Sequence, residues 1–340
     1  MKPDSTLSRI ALAAACALSL LVPNIQAADG TWTNQLGGGW GDVTDETALR
    51  TLRAAVDAGT TLLDTADVYG DGRSESLIGK FLKESHAPLF VATKLGRFSP
   101  PGWPANFERA AIRAHTEASL RRLGVDALDL TQLHCIPHEV LQRGEVFEHL
   151  RELKREGKIR DFGVSVESMD EALLCAKQPG VAALQIIFNL FRQKPAHVLF
   201  AEAKQRKIAL LIRLPLASGL LAGKMNKATS FAPNDHRNFN RDGQMFNVGE
   251  TFAGLPFEKG VELAEGLKTF VPPGMTMAEM ALRWCLDFDA VSVVIPGARN
   301  PEQARGNARA SALPPLGLDL HAKLAEFYAQ EVAANIRGPY

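Results

Sequence analysis

The stretch Thr61-Leu-Leu-Asp-Thr-Ala-Asp-Val-Tyr-Gly70 starts with β-forming and apolar residues, which predicts a buried strand. Asp64 stands in this strand where an apolar residue would be less costly to bury. Tyr69 follows in the next loop, directly before Gly70, Asp71 and Gly72. A strand that ends by carrying a carboxylate inward, with a phenol just beyond it, indicates a functional site at this end of the strand.

The composition is that of a globular chain with balanced charge. Of 340 residues, 46% are hydrophobic and 22% are charged, which favours a sizeable core over general disorder. Lysine plus arginine equals aspartate plus glutamate, 38 each, and this balance disfavours a nucleic-acid surface. The cysteines at positions 16, 135, 175 and 285 have no CxxC or metal-ligand spacing, so we expect free thiols, no disulfide and no metal site.

From about residue 44 onward, apolar β-branched runs alternate with segments of helical periodicity. Such alternation predicts parallel strands with right-handed crossovers, and a chain of this size favours a closed (β/α)8 TIM barrel. The alternative is an open doubly wound sheet, but the glycines at 37–41 lack the spacing of a dinucleotide-binding loop. The predicted strands are 61–66, 89–94, 128–134, 159–165, 183–189, 208–215 and 292–298, with an eighth near 27–32. The predicted helices are 45–58, 74–84, 106–123, 147–157, 169–177, 196–206, 275–288, 301–310 and 319–334.

The N-terminal segment is atypical for such a barrel. Lys2 and Arg9 precede an apolar run over 10–22, and small residues stand before Asp29, a pattern typical of a secretory signal peptide. The run is too short to span a bilayer, so no stable membrane anchor is expected. We therefore divide the chain into a leader or altered N-terminus, 1–28, and a single barrel domain, 29–340. An active leader predicts an exported protein, whereas a nucleotide cofactor favours the cytoplasm.

Polar side chains stand at or just after the ends of three consecutive predicted strands. Asp64 is followed by Tyr69, Lys94 ends the next strand, and His134 ends the one after it. The carboxyl ends of barrel strands meet at one mouth, where catalysis takes place. A phenol, with a pKa of about 10, becomes a better acid beside an ammonium group, and a carboxylate keeps that ammonium charged. With an imidazole to orient a carbonyl, these groups would protonate an oxygen while a nicotinamide cofactor delivers hydride.

These residues resemble the catalytic tetrad of the aldo-keto reductases. The likeness includes Asp64-Thr-Ala-Asp-Val-Tyr69-Gly with Gly72-Arg-Ser-Glu75, Lys94 and His134, and it extends over about 30–310. It implies a (β/α)8 fold, NADPH bound without a Rossmann loop, and reversible reduction of aldehydes and ketones. By that resemblance Tyr69 is the general acid, Lys94 and Asp64 tune it, and His134 positions the carbonyl.

The same resemblance assigns the cofactor contacts. Arg299 is a bidentate partner for the adenosine 2′-phosphate, which favours NADPH over NADH. The loop before the last strand-associated helix provides a natural anion site at a helix N-terminus. The implied cofactor-binding residues are Thr31, Trp32, Ser165, Gln185, Arg213, Leu216, Ser218, Gly219, Lys224, Gly297, Arg299, Gln303 and Asn307.

The substrate pocket is less defined by sequence. Trp40, Phe98 and Trp103 are candidate lining residues, although aromatic side chains at a barrel mouth also serve packing. The expected partner is a small-molecule carbonyl compound, and the expected state is a monomer or a weak homo-oligomer. Two alternatives stay open: a Schiff-base enzyme with Lys94 as the amine nucleophile, and a non-catalytic barrel that binds NADPH and reports its redox state.

Overall fold

The computed structural model describes residues 43–99 and 101–340. In this part of the chain, seven parallel strands lie side by side in chain order. The sequence-predicted leader 1–28 and the strand expected near 27–32 lie outside the described residues. The strands are β1 Leu62–Asp64, β2 Phe90–Leu95, β3 Leu128–His134, β4 Ile159–Ser165, β5 Val181–Ile187, β6 Ala209–Arg213 and β7 Val291–Val294.

Helices cover the outer face of the sheet. They are α1 Asp45–Asp57, α2 Arg73–Glu84, α3 Arg109–Leu123, α4 His138–Arg143, α5 Glu145–Arg155, α6 Met169–Ala176, α7 Lys194–Val198, α8 Phe200–Arg206, α9 His236–Phe239, α10 Phe257–Leu267, α11 Met277–Leu286, α12 Pro301–Arg309 and α13 Leu318–Phe327. Short 3₁₀ turns lie at Ala105–Phe107, Ala217–Ala222, Val248–Glu250, Phe252–Gly254, Lys268–Phe270, Ala310–Ala312 and Ala333–Asn335, with a π turn at Tyr328–Val332. None of the helices in the described part of the chain has the length and apolarity needed to cross a bilayer.

Several helices begin where the sequence supplies a cap. Ser168 precedes α6 and Thr276 precedes α11, and each side-chain oxygen accepts the amide of the glutamate three residues on. Those glutamates, Glu171 and Glu279, accept the cap residue's own amide in return. Because two otherwise unpaired donors are satisfied at each end, the helix start is well specified by sequence.

Two predicted helices differ from the structure, and three helices were not predicted. The helix predicted over 196–206 is two helices, α7 and α8, separated at Leu199. The one predicted over 319–334 ends at Phe327 and continues as the π turn. The helices that were not predicted are α4, α9 and α10, and α9 lies within the long polar segment 224–251, in which no helical periodicity is visible.

The inner face of the sheet has two layers. Side chains alternate along a strand, so residues two apart share a face. The lower layer is an apolar cluster that includes Leu62, Ala92 and Leu130. Two residues further along the same strands stand Asp64, Lys94 and Gln132, all buried. The polar layer at the carboxyl ends of the strands is therefore a continuation of the apolar layer beneath it. Its remaining members by the same alternation are His134, Ser165, Gln185 and Arg213.

The helices close the molecule into a ring. Helix α12, which follows β7, packs against α1, which precedes β1. The helix before the first described strand and the helix after the last one are thus neighbours, so the sheet between them is curved. The protein is a (β/α)8 barrel, as the alternation of elements predicted.

Close packing of α2 on α3 gives a test of this arrangement. A Cβ at Gly79 in α2 would lie 2.3 Å from the carbonyl oxygen of Arg122 in α3. We expect Gly79→Ala to lower the free energy of unfolding by about 2 kcal/mol, because helix backbones must move apart. The control is Gly306→Ala in α12, where nothing lies within 4 Å of the added atom. Better helix propensity should make that variant about 1 kcal/mol more stable in urea unfolding. Equal destabilisation of both variants would contradict the close approach.

Candidate active site

The centre of the polar layer is an ion pair between neighbouring strands. The Lys94 ammonium group donates to Asp64 Oδ1, and it also donates to the carbonyl of Thr65 at 2.9 Å. Both side chains are inaccessible to solvent, with 2% and 1% of their surface exposed. An ion pair that is so completely excluded from solvent has to be stabilised by further hydrogen bonds, because an unpaired charge there would cost several kcal/mol.

Two glutamines complete the coordination of the carboxylate. Gln185 Nε2 donates to Asp64 Oδ2 at 2.6 Å, and Gln132 Nε2 donates to the same atom at 3.3 Å. The sequence assigned Gln185 to the cofactor and did not single out Gln132. The structure places both amides on Asp64, so they fix the orientation of the carboxylate toward Lys94.

Tyr69 lies over this ion pair. The Lys94 nitrogen is 5.3 Å from the centre of the Tyr69 ring, and the Tyr69 and His134 rings meet edge to face with centroids 5.5 Å apart. Tyr69 is half-buried, whereas Lys94 is buried. The phenol is therefore the member of the group that reaches the mouth, with the imidazole beside it and the ammonium below it.

Burial controls the protonation of these groups. It raises the pKa of Tyr69 above 10.0, and the Lys94 ammonium opposes that shift only in part. The sequence had indicated the ammonium as the dominant influence, but desolvation outweighs it. Burial lowers the pKa of His134 well below 6.5, and the cations Arg97 and Lys94 lower it further. Burial alone would lower the pKa of Lys94, but Asp64 and then Tyr69 reverse that shift. At neutral pH the site holds a protonated phenol, a neutral imidazole and a charged ammonium.

A second charged group borders the mouth. Arg97 lies 3.2 Å from Glu167 and 3.7 Å from Glu250, and Arg213 lies 3.6 Å from Glu250. Cys135, next to His134, has its sulfur within 4.8 Å of a carboxylate oxygen of each glutamate. Since both carboxylates already face guanidinium groups, their charge is compensated by protein side chains. The sequence did not predict this group, because its members lie on separate segments of the chain that no motif connects.

The segment that carries Glu250 is held in place by hydrogen bonds from Arg337. Arg337 donates to Asp242 at 2.8 Å and to the carbonyls of Gly254 and Leu255 at 3.0 and 3.2 Å. These contacts fix both ends of the segment 242–255. The position of Glu250 at the mouth thus depends on a residue remote from the mouth in sequence.

A cavity of about 500 Å³ opens beside the mouth, between the loop after β6 and helix α12. Lys224 and Arg299 line it, and neither forms an ion pair with any residue in 43–99 or 101–340. Helix α12 begins at its edge, where Asn300 caps the amide of Gln303 at 2.9 Å. The cavity wall contains eight of the sequence-predicted cofactor residues: Leu216, Ser218, Gly219, Lys224, Gly297, Arg299, Gln303 and Asn307.

The other predicted residues lie elsewhere. Arg213 turns toward the mouth, where it donates to the carbonyl of Val166 at 3.2 Å, and it is not among the residues of the cavity wall. Ser165 lies beside His134 in the strand register, with its hydroxyl 3.4 Å from the sulfur of Cys135. Thr31, Trp32 and Trp40 lie outside the described residues.

The two remaining aromatic candidates differ in exposure. The Trp103 side chain is half-exposed, and its indole N–H donates to the carbonyl of Gly96 at 2.5 Å. The Phe98 ring packs on α3, with its centroid 5.9 Å from that of His115 and 5.7 Å from the guanidinium carbon of Arg122. Trp103 is the better placed of the two to meet a ligand from solvent.

Comparison with known sequences identifies this arrangement. The sequence profile described as "Aldo/keto reductase family" matches residues 30–329. The chain belongs to the aldo/keto reductase family. It is accordingly an oxidoreductase of the nicotinamide-dependent type. The family resemblance inferred from Asp64, Tyr69, Lys94 and His134 is confirmed.

Individual relatives of this aldo/keto reductase support the same assignment. It is 34% identical over 282 residues to the aldo-keto reductase YhdN of Bacillus subtilis, covering 81% of each chain. It is 30% identical to the uncharacterized oxidoreductase YqkF of the same organism, covering 78% of this chain and 82% of that one. Its fold matches the solved glycerol dehydrogenase AKR11B4 of Gluconobacter oxydans with a TM-score of 0.75 and 30% identity, over 94% and 95% of the two chains.

Proposed function

We propose that this protein reduces aldehydes or ketones to alcohols with NADPH, and that Tyr69 is the general acid. The observation that carries the proposal is the meeting of Tyr69, Lys94 and His134 at the mouth, beside a cavity lined by Lys224 and Arg299. Family membership supports the class of reaction, and the geometry supports the roles of the residues.

The cavity fits the phosphate-bearing part of a dinucleotide. Lys224 and Arg299 supply positive charge, and the N-terminus of α12 adds the partial positive charge of the helix dipole. Gly219, in the cavity wall, has a φ of 99°, a backbone conformation that glycine favours. Arg299 at the helix start would hold a 2′-phosphate, which favours NADPH over NADH. When bound, the cofactor would supply a hydride.

The chain's own groups would handle the oxygen of the carbonyl. Tyr69 keeps its proton throughout the neutral range, because burial raises its pKa, and it can donate that proton to an oxygen that gains negative charge. Neutral His134 would hold the same oxygen by a hydrogen bond without adding a charge. The Lys94 ammonium stabilises the phenolate left behind, and Asp64 with its two glutamine donors keeps Lys94 in place.

The direct test is turnover. Purified protein with NADPH should lose absorbance at 340 nm on addition of some member of a carbonyl panel. The panel should include glyceraldehyde and dihydroxyacetone, because one relative is a glycerol dehydrogenase. No oxidation of NADPH with any member, for protein shown to bind NADPH, would contradict the proposal and favour a non-catalytic NADPH-binding barrel.

The preference for NADPH has its own prediction. Arg299→Ala should raise the Kd for NADPH about 30-fold and leave the Kd for NADH within about twofold, because only NADPH carries the 2′-phosphate. Intrinsic fluorescence titration measures both constants. Arg305→Ala is the control, since Arg305 stands on the same helix and faces Glu302 instead of the cavity. Equal losses for both cofactors would place the 2′-phosphate elsewhere.

The structure argues against Lys94 as an amine nucleophile. A Schiff-base lysine must be neutral for attack, which requires a lowered pKa. Here the Asp64 carboxylate and the Tyr69 phenol raise the pKa of Lys94, and the side chain is sealed from solvent. Trapping of a substrate on Lys94 by borohydride would overturn this reading.

A further inference from the structure

Asp67 occupies a dry pocket beneath the loop that carries Tyr69. It lies between Asp64 and Tyr69 in sequence, and its side chain is fully buried. Its backbone amide donates to the carbonyl oxygen of Lys94 at 3.0 Å. This residue therefore joins the Tyr69 loop directly to the strand position that carries the ammonium group.

A second carboxylate shares the pocket and is already paired. Glu75, on α2, accepts from Arg122 Nε at 2.6 Å and from the Thr93 hydroxyl at 2.5 Å. It is fully buried as well. The charge of Arg122 is thus engaged by Glu75, and Lys94 is engaged by Asp64.

Asp67 has no comparable partner. No described side chain donates a hydrogen bond to either of its oxygens. His115 Nδ1 on α3 lies 3.8 Å away, and burial together with Arg122 lowers the pKa of His115, so the imidazole is neutral at pH 7. The groups that face Asp67 are Glu75 from α2, Arg122 and His115 from α3, and Lys94 from β2.

This environment holds Asp67 in its neutral form. Burial, and then the nearby Glu75, raise the pKa of Asp67 to about 8, against the opposing effects of the Val68 amide, Arg122 and Lys94. An ionised Asp67 would be a second buried negative charge beside Glu75, on a loop whose backbone is hydrogen-bonded to the Lys94 carbonyl.

We propose that protonated Asp67 is a positioning residue that holds the Tyr69 loop over the Asp64–Lys94 pair. Loss of its proton puts a second buried negative charge beside Glu75 and loosens the loop, which withdraws the phenol from the mouth. The proposal rests on the proposed reductase function. It assigns the alkaline loss of activity to Asp67 and not to Tyr69, whose own pKa lies above 10.0.

The pH dependence of kcat/KM tests this assignment. The wild-type protein should lose about tenfold in kcat/KM between pH 7 and pH 9, as expected for one essential proton with a pKa of about 8. Asp67→Asn keeps the shape of the neutral acid and cannot ionise, so its kcat/KM should change less than about twofold over the same interval. The control is Asp71→Asn, an exposed aspartate on the same loop, which should retain the wild-type profile. An unchanged alkaline limb in Asp67→Asn would overturn the proposal.

Stability supplies a readout independent of turnover. The folded pKa of Asp67 is above the unfolded value, so the native state binds the extra proton and loses that stabilisation as pH rises through about 8. Between pH 5 and pH 8, the unfolding constant of the wild type should rise about tenfold per pH unit relative to Asp67→Asn. A pH-independent difference between the two proteins would overturn the proposal even without turnover. Absence of turnover with the expected stability difference would instead contradict the reductase function.

Discussion

Replacing Tyr69 by phenylalanine is expected to lower kcat by about 10³-fold while the Kd for NADPH stays within about twofold. The substitution removes one hydroxyl group, the only proton donor that the proposed reaction uses, and general acids contribute roughly 10²–10⁴-fold. The ring would remain beside His134 and above Lys94, so the mouth should keep its shape. Single-turnover consumption of NADPH separates this loss from any change in binding.

The matched control is Tyr328→Phe, which removes a hydroxyl of the same type that has no contact with Tyr69, Lys94 or His134. That hydroxyl pairs with the Tyr340 hydroxyl at 2.6 Å. Its removal should leave kcat unchanged. If Tyr69→Phe retained most of the activity, the proton would have to come from another group, and His134 would be the next candidate.

Replacing Lys94 by methionine is expected to damage stability and activity together. The variant leaves Asp64 buried with only the two glutamine donors, and breaking a buried ion pair from one side costs about 3–5 kcal/mol. It should also lower kcat by at least about 10²-fold, because no ammonium stabilises the Tyr69 phenolate. Urea unfolding and NADPH oxidation measure the two effects.

A double variant separates those two effects. Lys94→Met with Asp64→Asn removes both charges, so most of the lost stability should return while activity stays low. Lys204→Met is the surface control, since Lys204 pairs with Asp289 in full contact with solvent and should change stability very little. Recovery of activity in the double variant would contradict a role for the ammonium group in the reaction.

The sequence was sufficient to predict the fold because two kinds of signal agree. Apolar runs predict the strands, and polar residues at the ends of three consecutive strands predict the mouth of the barrel. The bounds of β3 and β4 agree with the predicted ones, whereas β1 is three residues long against six predicted. The strand extends only to Asp64, although the amides of Thr65 and Asp67 still donate to the carbonyls of Ala92 and Lys94 in β2.

The sequence was less informative about contacts between distant segments. Glu250 meets Arg97 and Arg213 only because two loops and the end of β6 converge, and such convergence produces no periodic pattern in the sequence. Gln185 shows a related difficulty. Its position within β5 can be predicted from the strand pattern, but its hydrogen bond to Asp64 depends on the curvature of the whole sheet.

Burial is the second property that a motif does not report. Asp67 belongs to the same short motif as Asp64 and Tyr69, yet no side chain in the described part of the chain donates a hydrogen bond to its two carboxyl oxygens. Lys94 was predicted to lower the pKa of the phenol, but desolvation of Tyr69 exceeds that effect. Both results depend on how completely the surrounding helices exclude water, which only the packed structure shows.

The two-layer inner face of the barrel bears on how such a protein can change over time. Leu62, Ala92 and Leu130 belong to the apolar layer, and the polar layer of the site begins two residues further along the same strands. A mutation in the upper layer can therefore alter the reaction while the lower layer continues to hold the strands together. The Asp64–Lys94 pair is the exception, because it contributes both charge and cohesion. Divergence toward new chemistry would be expected to begin at the other upper positions and to reach this pair last.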